Sequence, residues 1–234
     1  MGEFRFKRFS VRNEASPLKV GTDAVLLGAA MTIDGEERRM LDIGTGTGVI
    51  ALMAAQRSPA ALIDAIEIDG AAAAEAGMNF VASPWESRLK VICSPLSRFS
   101  PEKSYDLIFS NPPYFDSSLK NPDGRTAAAR HTESLSYREI CAFAATNLSG
   151  KGKLSLILPA ASEIELLRTA GSVGLKPFRL LRIRTTPSKP FSRIIAEFKA
   201  GGPCPPTSQE ELTLMDNGGG RSDAYSAITG DFYL

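Results

Sequence analysis

From residue 40 onward, short apolar runs alternate with stretches whose apolar positions recur at helical spacing. "MLDIG" (40–44) reads as a strand and runs into "TGTGVIALMAAQRS", where Val49, Ile50, Leu52 and Met53 carry the helical spacing until Pro59 stops it. "LIDAIEID" (62–69) predicts a second strand, followed by the alanine-rich helix "GAAAAEAGMNFVA". "LKVIC" (89–93) and "YDLIFSN" (105–111) predict the third and fourth strands, "YREICAFAATNL" (137–148) a helix and "GKLSLILP" (152–159) a fifth strand. "SEIELLRTAGSVG" (162–174) predicts a helix with Ser162 as its N-cap and glycines closing it. "PFRLLRIRT" and "SRIIAEFKA" predict two adjacent strands with no helix between them. After the Gly/Pro-rich loop "AGGPCPPTS" (200–208), "ELTLMD" predicts a short strand, and the last residues a segment packed back on the domain.

Strands alternating with helices mean a parallel sheet with crossover helices. The fold class is therefore α/β, a doubly wound, mostly parallel sheet closed by an antiparallel hairpin towards the C-terminus. We expect one domain over 1–234, with an N-terminal arm over 1–35 and a C-terminal extension over 200–234.

Composition narrows this only a little. The 234 residues are 43% hydrophobic and 23% charged, which describes a soluble globular chain. Lys and Arg number 27 against 26 for Asp and Glu, a net charge of +1 that neither announces nor excludes a nucleic-acid partner, because a local patch can hide in a neutral total. Cys93, Cys141 and Cys204 have no CxxC spacing, so neither a disulfide framework nor a metal site is expected. No apolar run reaches the ~20 residues that span a bilayer. The start, "MGEFRFKRFSVRNE", has basic residues but no apolar core behind them, so it does not read as a signal peptide, and a cytoplasmic location is expected.

The first strand ends in Asp42-Ile43-Gly44-Thr45-Gly46-Thr47-Gly48. Glycines there permit a tight turn and a close approach of backbone to ligand. A nucleotide-like cofactor over a helix N-terminus is one reading; a strand-to-helix turn that simply needed glycine is the other. Three details favour the first. The spacing is GxGxG and lacks the Lys-Ser/Thr of a phosphate-gripping loop. Asp42 would repel a pyrophosphate but attract a cationic amino group. Glu67, at the end of the next strand, can accept from both hydroxyls of a ribose. An adenosine with an amino-acid tail and no phosphates, S-adenosylmethionine, fits all three. Among the other acids, Asp69 reads as the N-cap of the alanine-rich helix, and Asp106 as ordering a neighbouring turn.

"YDLIFSNPPYFD" poses a second problem, because two prolines and an aromatic ring directly follow a strand. Prolines donate no backbone hydrogen bond, so the strand must stop at the carboxyl edge of the sheet, where α/β folds bind ligands. An exocyclic amine on an aromatic ring is a poor nucleophile until it begins to pyramidalise. The Asn111 side-chain oxygen and the Pro112 carbonyl can accept its two hydrogens, the prolines fix that carbonyl in place, and Tyr114 offers a face for stacking. Asn111, Pro112, Pro113 and Tyr114 are thus the candidate catalytic residues for methyl transfer to nitrogen.

"LDIGTGTGVIAL", "IDAIEID" and "SNPPY" resemble the class I, Rossmann-like methyltransferases that modify amino nitrogens. With "FRFKRFSV", "LKVGTDAVLLGA", "SPWESRL", "ARHTESLSYREI" and "SDAYSAITGDFYL" added, nearly the whole chain is similar to the bacterial tRNA(Val) adenine N6-methyltransferases, which act on adenine 37 beside the anticodon. NPPY alone is shared with DNA adenine and release-factor glutamine methyltransferases; the two terminal segments point to the tRNA enzymes. The resemblance implies cofactor contacts at Asp42, Gly44, Gly46 and Asn111, with Glu67 on the ribose. "KVGTDA" (19–24) would cover the methionine end, with Gly21 and Thr22 in contact, unless it is a plain turn before the helix "AVLLGAA". The family often carries an acid for the cofactor's adenine after the third strand; here Ser94 and Pro95 stand instead.

A tRNA partner needs basic groups near that pocket. Arg5, Lys7, Arg8 and Arg12 alternate with Phe4, Phe6 and Phe9; Lys120, Arg125, Arg130 and His131 follow NPPY; Arg179, Arg182, Arg184, Lys189 and Arg193 load the C-terminal strands. Phosphate contact and base stacking are one use of these groups; solvated strand faces and a packed edge are the other. We expect RNA contacts at Lys7, Arg8, Lys120, Arg125, Arg130 and His131, no metal, no membrane and a monomer. Two alternatives stay open: a glutamine N5-methyltransferase acting on release factor, and a non-catalytic RNA-binding protein on the same fold.

Overall fold

The computed structural model describes residues 2–16, 19–113 and 135–234. An eight-stranded sheet runs in the order β10-β8-β9-β7-β6-β3-β4-β5. Its strands are β3 (Arg39–Ile43), β4 (Leu62–Glu67), β5 (Leu89–Cys93), β6 (Tyr105–Ser110), β7 (Leu148–Pro159), β8 (Lys176–Arg184), β9 (Arg193–Lys199) and β10 (Ser208–Thr213). β5, β4, β3, β6 and β7 are mutually parallel; β9 runs antiparallel to both β7 and β8, and β10 lies parallel to β8. A separate two-stranded hairpin joins β1 (Glu3–Arg5) to β2 (Ser10–Arg12).

Alternation along each strand sends side chains to two layers. Met40, Ile63, Ala65, Leu107, Phe109 and Ile195 face α1 (Thr22–Ala30), α2 (Val49–Arg57) and α3 (Gly70–Val81). Leu41, Ile66, Ile108, Leu154, Leu156 and Phe198 face α4 (Tyr137–Asn147) and α5 (Glu163–Ser172). The chain lays down β3, β4 and β5 outward on one side, then crosses back to place β6 on the other side of β3. That reversal leaves the carboxyl ends of β3 and β6 adjacent, the crevice where α/β sheets bind ligands.

The predicted strands and helices from residue 40 to 200 are all present, with two local departures. Ser162 is not a side-chain cap: it closes a 3-10 turn over Ala160–Ser162 in helical geometry, and its hydroxyl makes no capping bond. The fifth predicted strand begins four residues early, at Leu148, because that residue pairs with Tyr105 before the register shifts around Gly150 and Gly152. The last residues form α6 (Asp223–Thr229), with Ser222 Oγ accepting from the Tyr225 N–H. No helix among the described residues is long and apolar enough to cross a membrane.

One buried carboxylate stitches the C-terminal strands to α1. Glu197, on β9, is fully buried and accepts from the Thr32 amide (2.8 Å), the Thr32 hydroxyl (2.7 Å), the Ser155 hydroxyl and Arg179 Nη1 (2.8 Å). Removing one partner of such a cluster strands the others without solvent, at a cost of about 3–5 kcal/mol. Glu197→Ala is expected to lose about that much in urea unfolding, and Glu197→Gln, which keeps an acceptor oxygen, distinctly less.

Candidate active site

The turn after β3 depends on backbone that only glycine takes easily. Gly46 and Gly48 sit at φ 54° and 82°, in the left-handed region. A Cβ on Gly48 would stand 2.5 Å from the Phe80 ring, so the site excludes even alanine on two counts. The amides of Gly44 and Thr45 donate to the Ile66 carbonyl, which fastens the turn to β4. Glu67 fastens it further: Oε2 accepts from the Gly46 amide (2.9 Å) and Oε1 from the Asp69 amide (3.0 Å). Asp69 caps α3, Oδ1 accepting from the Ala72 amide at 2.8 Å, as its position in the sequence implies.

Asp42 lies beneath the turn, fully buried. Its Oδ2 accepts from the Thr45 hydroxyl at 2.6 Å, while Oδ1 has no hydrogen-bond partner among the described residues. Burial pushes this carboxyl up to about 7; the Thr45 hydroxyl and the nearby Ala51 backbone N–H pull it back only in part, and the Glu67 charge adds to the rise. A buried acid with one unsatisfied oxygen, below a glycine cradle, fits a ligand that brings a cation and no phosphate.

The corner after β6 sits beside this turn. Asp42 pairs with Phe109 across the two strands, so Gly44 and Asn111 both fall just beyond neighbouring strand ends, on rows about 4.8 Å apart. The Ser110 hydroxyl donates to the Ile43 carbonyl at 2.6 Å and locks the two ends together. Asn111 and Pro113 are half-buried and Pro112 is buried, while Tyr114 lies outside the described residues. Gly21 is the extended N-cap of α1, and both it and Thr22 are exposed. Ser94 follows β5 with its amide donating to the Glu67 carbonyl and its hydroxyl to the Pro95 carbonyl.

Residues 16–167 match the methyltransferase small domain family. The chain belongs to that family. It is 41% identical to the tRNA1(Val) (adenine(37)-N6)-methyltransferase of Bacteroides fragilis, over 99% of this chain and 97% of that protein. It is also 41% identical to the protein of the same name from Pedobacter heparinus, with the same coverage. A predicted O-methyltransferase from Agrobacterium tumefaciens shares the fold with a TM-score of 0.71 at 18% identity, covering 90% of this chain and 96% of that one. A methyltransferase from Pyrococcus furiosus does so at 0.60 and 21%, covering 82% and 90%.

In this methyltransferase-family chain the arginines of the C-terminal strands, for which phosphate contact and a solvated strand face were both open, are held in ion pairs. Arg179 pairs with Glu197 and Glu210, Arg182 with Glu163, Arg184 with Glu211 and Arg193 with Asp23; only Lys189 of that set is exposed. Phe6 and Phe9 are buried against Tyr233 and Trp85, so the aromatics of the N-terminal arm form a packed edge rather than a stacking platform. Lys7 Nζ donates to the Gly230 carbonyl, and the Arg8 guanidinium lies 5.7 Å from the Trp85 ring. Trp85 stands four residues beyond the end of α3, the end whose Asn79 and Phe80 meet the glycine turn. Lys120, Arg125, Arg130 and His131 lie outside the described residues. Sequence reasoning missed Ser16, Glu75 and Asn79, three buried polar residues that gather beside the glycine turn. Glu75 and Asn79 stand four apart on one face of an alanine-rich helix, the spacing that should have flagged them.

Asp42 makes a prediction about pH. Its folded carboxyl titrates near 7 against an ordinary 3.8, so the stability it contributes is fully present below about 3.8 and is lost as pH rises through about 7. Without cofactor, wild-type stability should fall relative to Asp42→Asn by up to ~1.4 kcal/mol per pH unit between those limits. Parallel urea titrations across that range check it; two curves that stay parallel would contradict it.

Proposed function

We propose that this chain transfers the methyl group of S-adenosylmethionine to the exocyclic N6 amine of an adenine in tRNA, adenine 37 beside the anticodon of tRNA(Val), in the cytoplasm. The reading is carried by one observation: the glycine turn with Glu67 and the Asn111-Pro112 corner occupy adjacent strand ends at the switch point of the sheet. The names of the full-length relatives favour tRNA over a protein amide as the acceptor.

The cofactor supplies an electrophilic methyl on a sulfonium centre, and the protein's residues hold it and the amine in line. In this reading Glu67 accepts from the ribose hydroxyls with the lone pairs left free by the Gly46 and Asp69 amides, since each carboxylate oxygen accepts twice. Asp42, Gly44 and Gly46 shape the floor, and Gly21 and Thr22 bound the methionine end. The Asn111 side-chain oxygen and the Pro112 carbonyl accept the two amine hydrogens and favour the pyramidal nitrogen that attacks. As the nitrogen–carbon bond forms and the carbon–sulfur bond breaks, the electron pair leaves with sulfur and the nitrogen sheds a proton to solvent. No strong base is needed, so alignment supplies the rate. Tyr114 stacks on the flipped adenine, and Lys120, Arg125, Arg130 and His131 meet the backbone, together with Lys7 and Arg8 where the tRNA extends along the protein.

Purified protein incubated with labelled S-adenosylmethionine and unmodified tRNA should yield N6-methyladenosine at position 37. Asn111→Ala should lower kcat by about 10²–10³ with cofactor still bound. Label that appears in release factor and not in tRNA would move the acceptor to glutamine.

A further inference from the structure

Helix α3 carries two polar side chains into its apolar face, Glu75 and Asn79, each 2% exposed. Glu75 meets three consecutive backbone N–H groups rather than a buried cation. Its Oε1 accepts from the amides of Glu14 (2.6 Å) and Ala15 (2.9 Å), and its Oε2 from that of Ser16 (2.9 Å). Asn79 Oδ1 accepts from the Arg12 amide (2.8 Å), while its Nδ2 donates to the Arg12 carbonyl (3.1 Å) and to the Thr47 carbonyl (2.8 Å). Lys19 binds the same segment from the other side, donating to the carbonyls of Asn13 and Glu14. One helix therefore grips residues 12–16 and the glycine turn at once.

The place where that grip ends is functional ground. Ser16 is buried, and its hydroxyl lies 3.3 Å from where a Cβ on Gly46 would stand. Gly46 is also the residue whose amide binds Glu67. The described strand ends at Arg12, so the amides of residues 14–16 rely on Glu75 as acceptor, while Asn79 holds Arg12 at the strand's end. Burying a carboxylate is costly, and the three charge-assisted bonds, with the Lys19 charge nearby, offset that cost only while the segment stays seated.

We infer that Glu75 and Asn79 are positioning residues for the cofactor: they hold residues 12–16 against the glycine turn as a preformed wall of its site. The inference rests on the methyltransferase reading above. Loosening the wall leaves an ordering cost to be met when cofactor binds, so the effect falls on affinity and not on the chemical step.

The test compares wild type with Glu75→Ala, Glu75→Gln, Asn79→Ala and a control, Leu166→Ala, which opens the buried layer on the opposite face of the sheet. Hydrogen exchange reads the Glu14, Ala15 and Ser16 amides; calorimetry with S-adenosylmethionine reads Kd; kcat is taken at saturating cofactor. Glu75→Ala should speed exchange of those amides and raise Kd, each about tenfold or more, with kcat within about threefold of wild type. Glu75→Gln should fall between, Asn79→Ala should also raise Kd, and Leu166→Ala should lower the melting temperature without moving Kd. Freed amides with an unchanged Kd would overturn the inference and leave the methyltransferase reading intact. So would a Kd shift no larger than that of Leu166→Ala, or amides that stay protected. A wild type that binds no S-adenosylmethionine would overturn the reading itself and the inference with it.

Discussion

A crevice opens at the carboxyl edge of a parallel sheet only where the connections after two neighbouring strands leave toward different faces. β3 and β6 meet this constraint at the switch point, and most of the site follows from how each chain leaves. After β3 the backbone must turn at once into α2, and left-handed glycines at 46 and 48 make the turn. After β6 it must stop pairing, and Pro112 and Pro113 remove the donors that would continue the ladder. Ser110 then joins the two exits through the Ile43 carbonyl. The crevice is a consequence of topology; its chemistry is what the few residues next to it can offer.

Those residues are held from below and from one side by polar groups that the apolar core would otherwise exclude. Asp42 is buried with Thr45, Glu67 is tied to the Gly46 amide, and Asn79 reaches the Thr47 carbonyl. Each anchors irregular backbone, which has no ladder to satisfy its N–H and C=O groups. Phe80 supplies the apolar counterpart by filling the space a side chain on Gly48 would need. Fixing the turn in this way costs stability at Asp42, where one oxygen has no donor among the described residues.

The sheet from 40 to 200 was legible because each strand is a short apolar run and each crossover helix has its own periodicity. The glycine turn and NPPY were legible because glycine and proline restrict the backbone whatever surrounds them. What escaped the sequence depends on partners far along the chain. Phe6 stacks on Tyr233, and Lys7 reaches Gly230, across more than two hundred residues. No local pattern distinguishes such a packed arm from a basic-aromatic RNA strip. The acids that meet the arginines of β8 stand far along the chain, Glu210 and Glu211 on β10 for Arg179 and Arg184 and Glu163 on α5 for Arg182, so only the folded sheet brings them together. Ser162 has the residue type of a cap without the geometry, since a 3-10 turn already leads into α5.

Neutralising the arginines of β8 and β9 changes where attraction for a polyanion can come from. A chain of net charge +1 whose strand cations are paired has little general affinity for phosphate to draw on. In the function proposed above, affinity for RNA rests on a few basic contacts and the rate on alignment, because methylation of an amine asks for no titrating base. Alignment begins with a seated cofactor, and a mobile wall weakens that seating even where every group at the reacting atoms is intact. Glu75 and Asn79 act at that step, through the backbone of residues 12–16 and the glycine turn. The buried Glu75 carboxylate, bonded to three loop amides, keeps that segment seated beside the glycine turn.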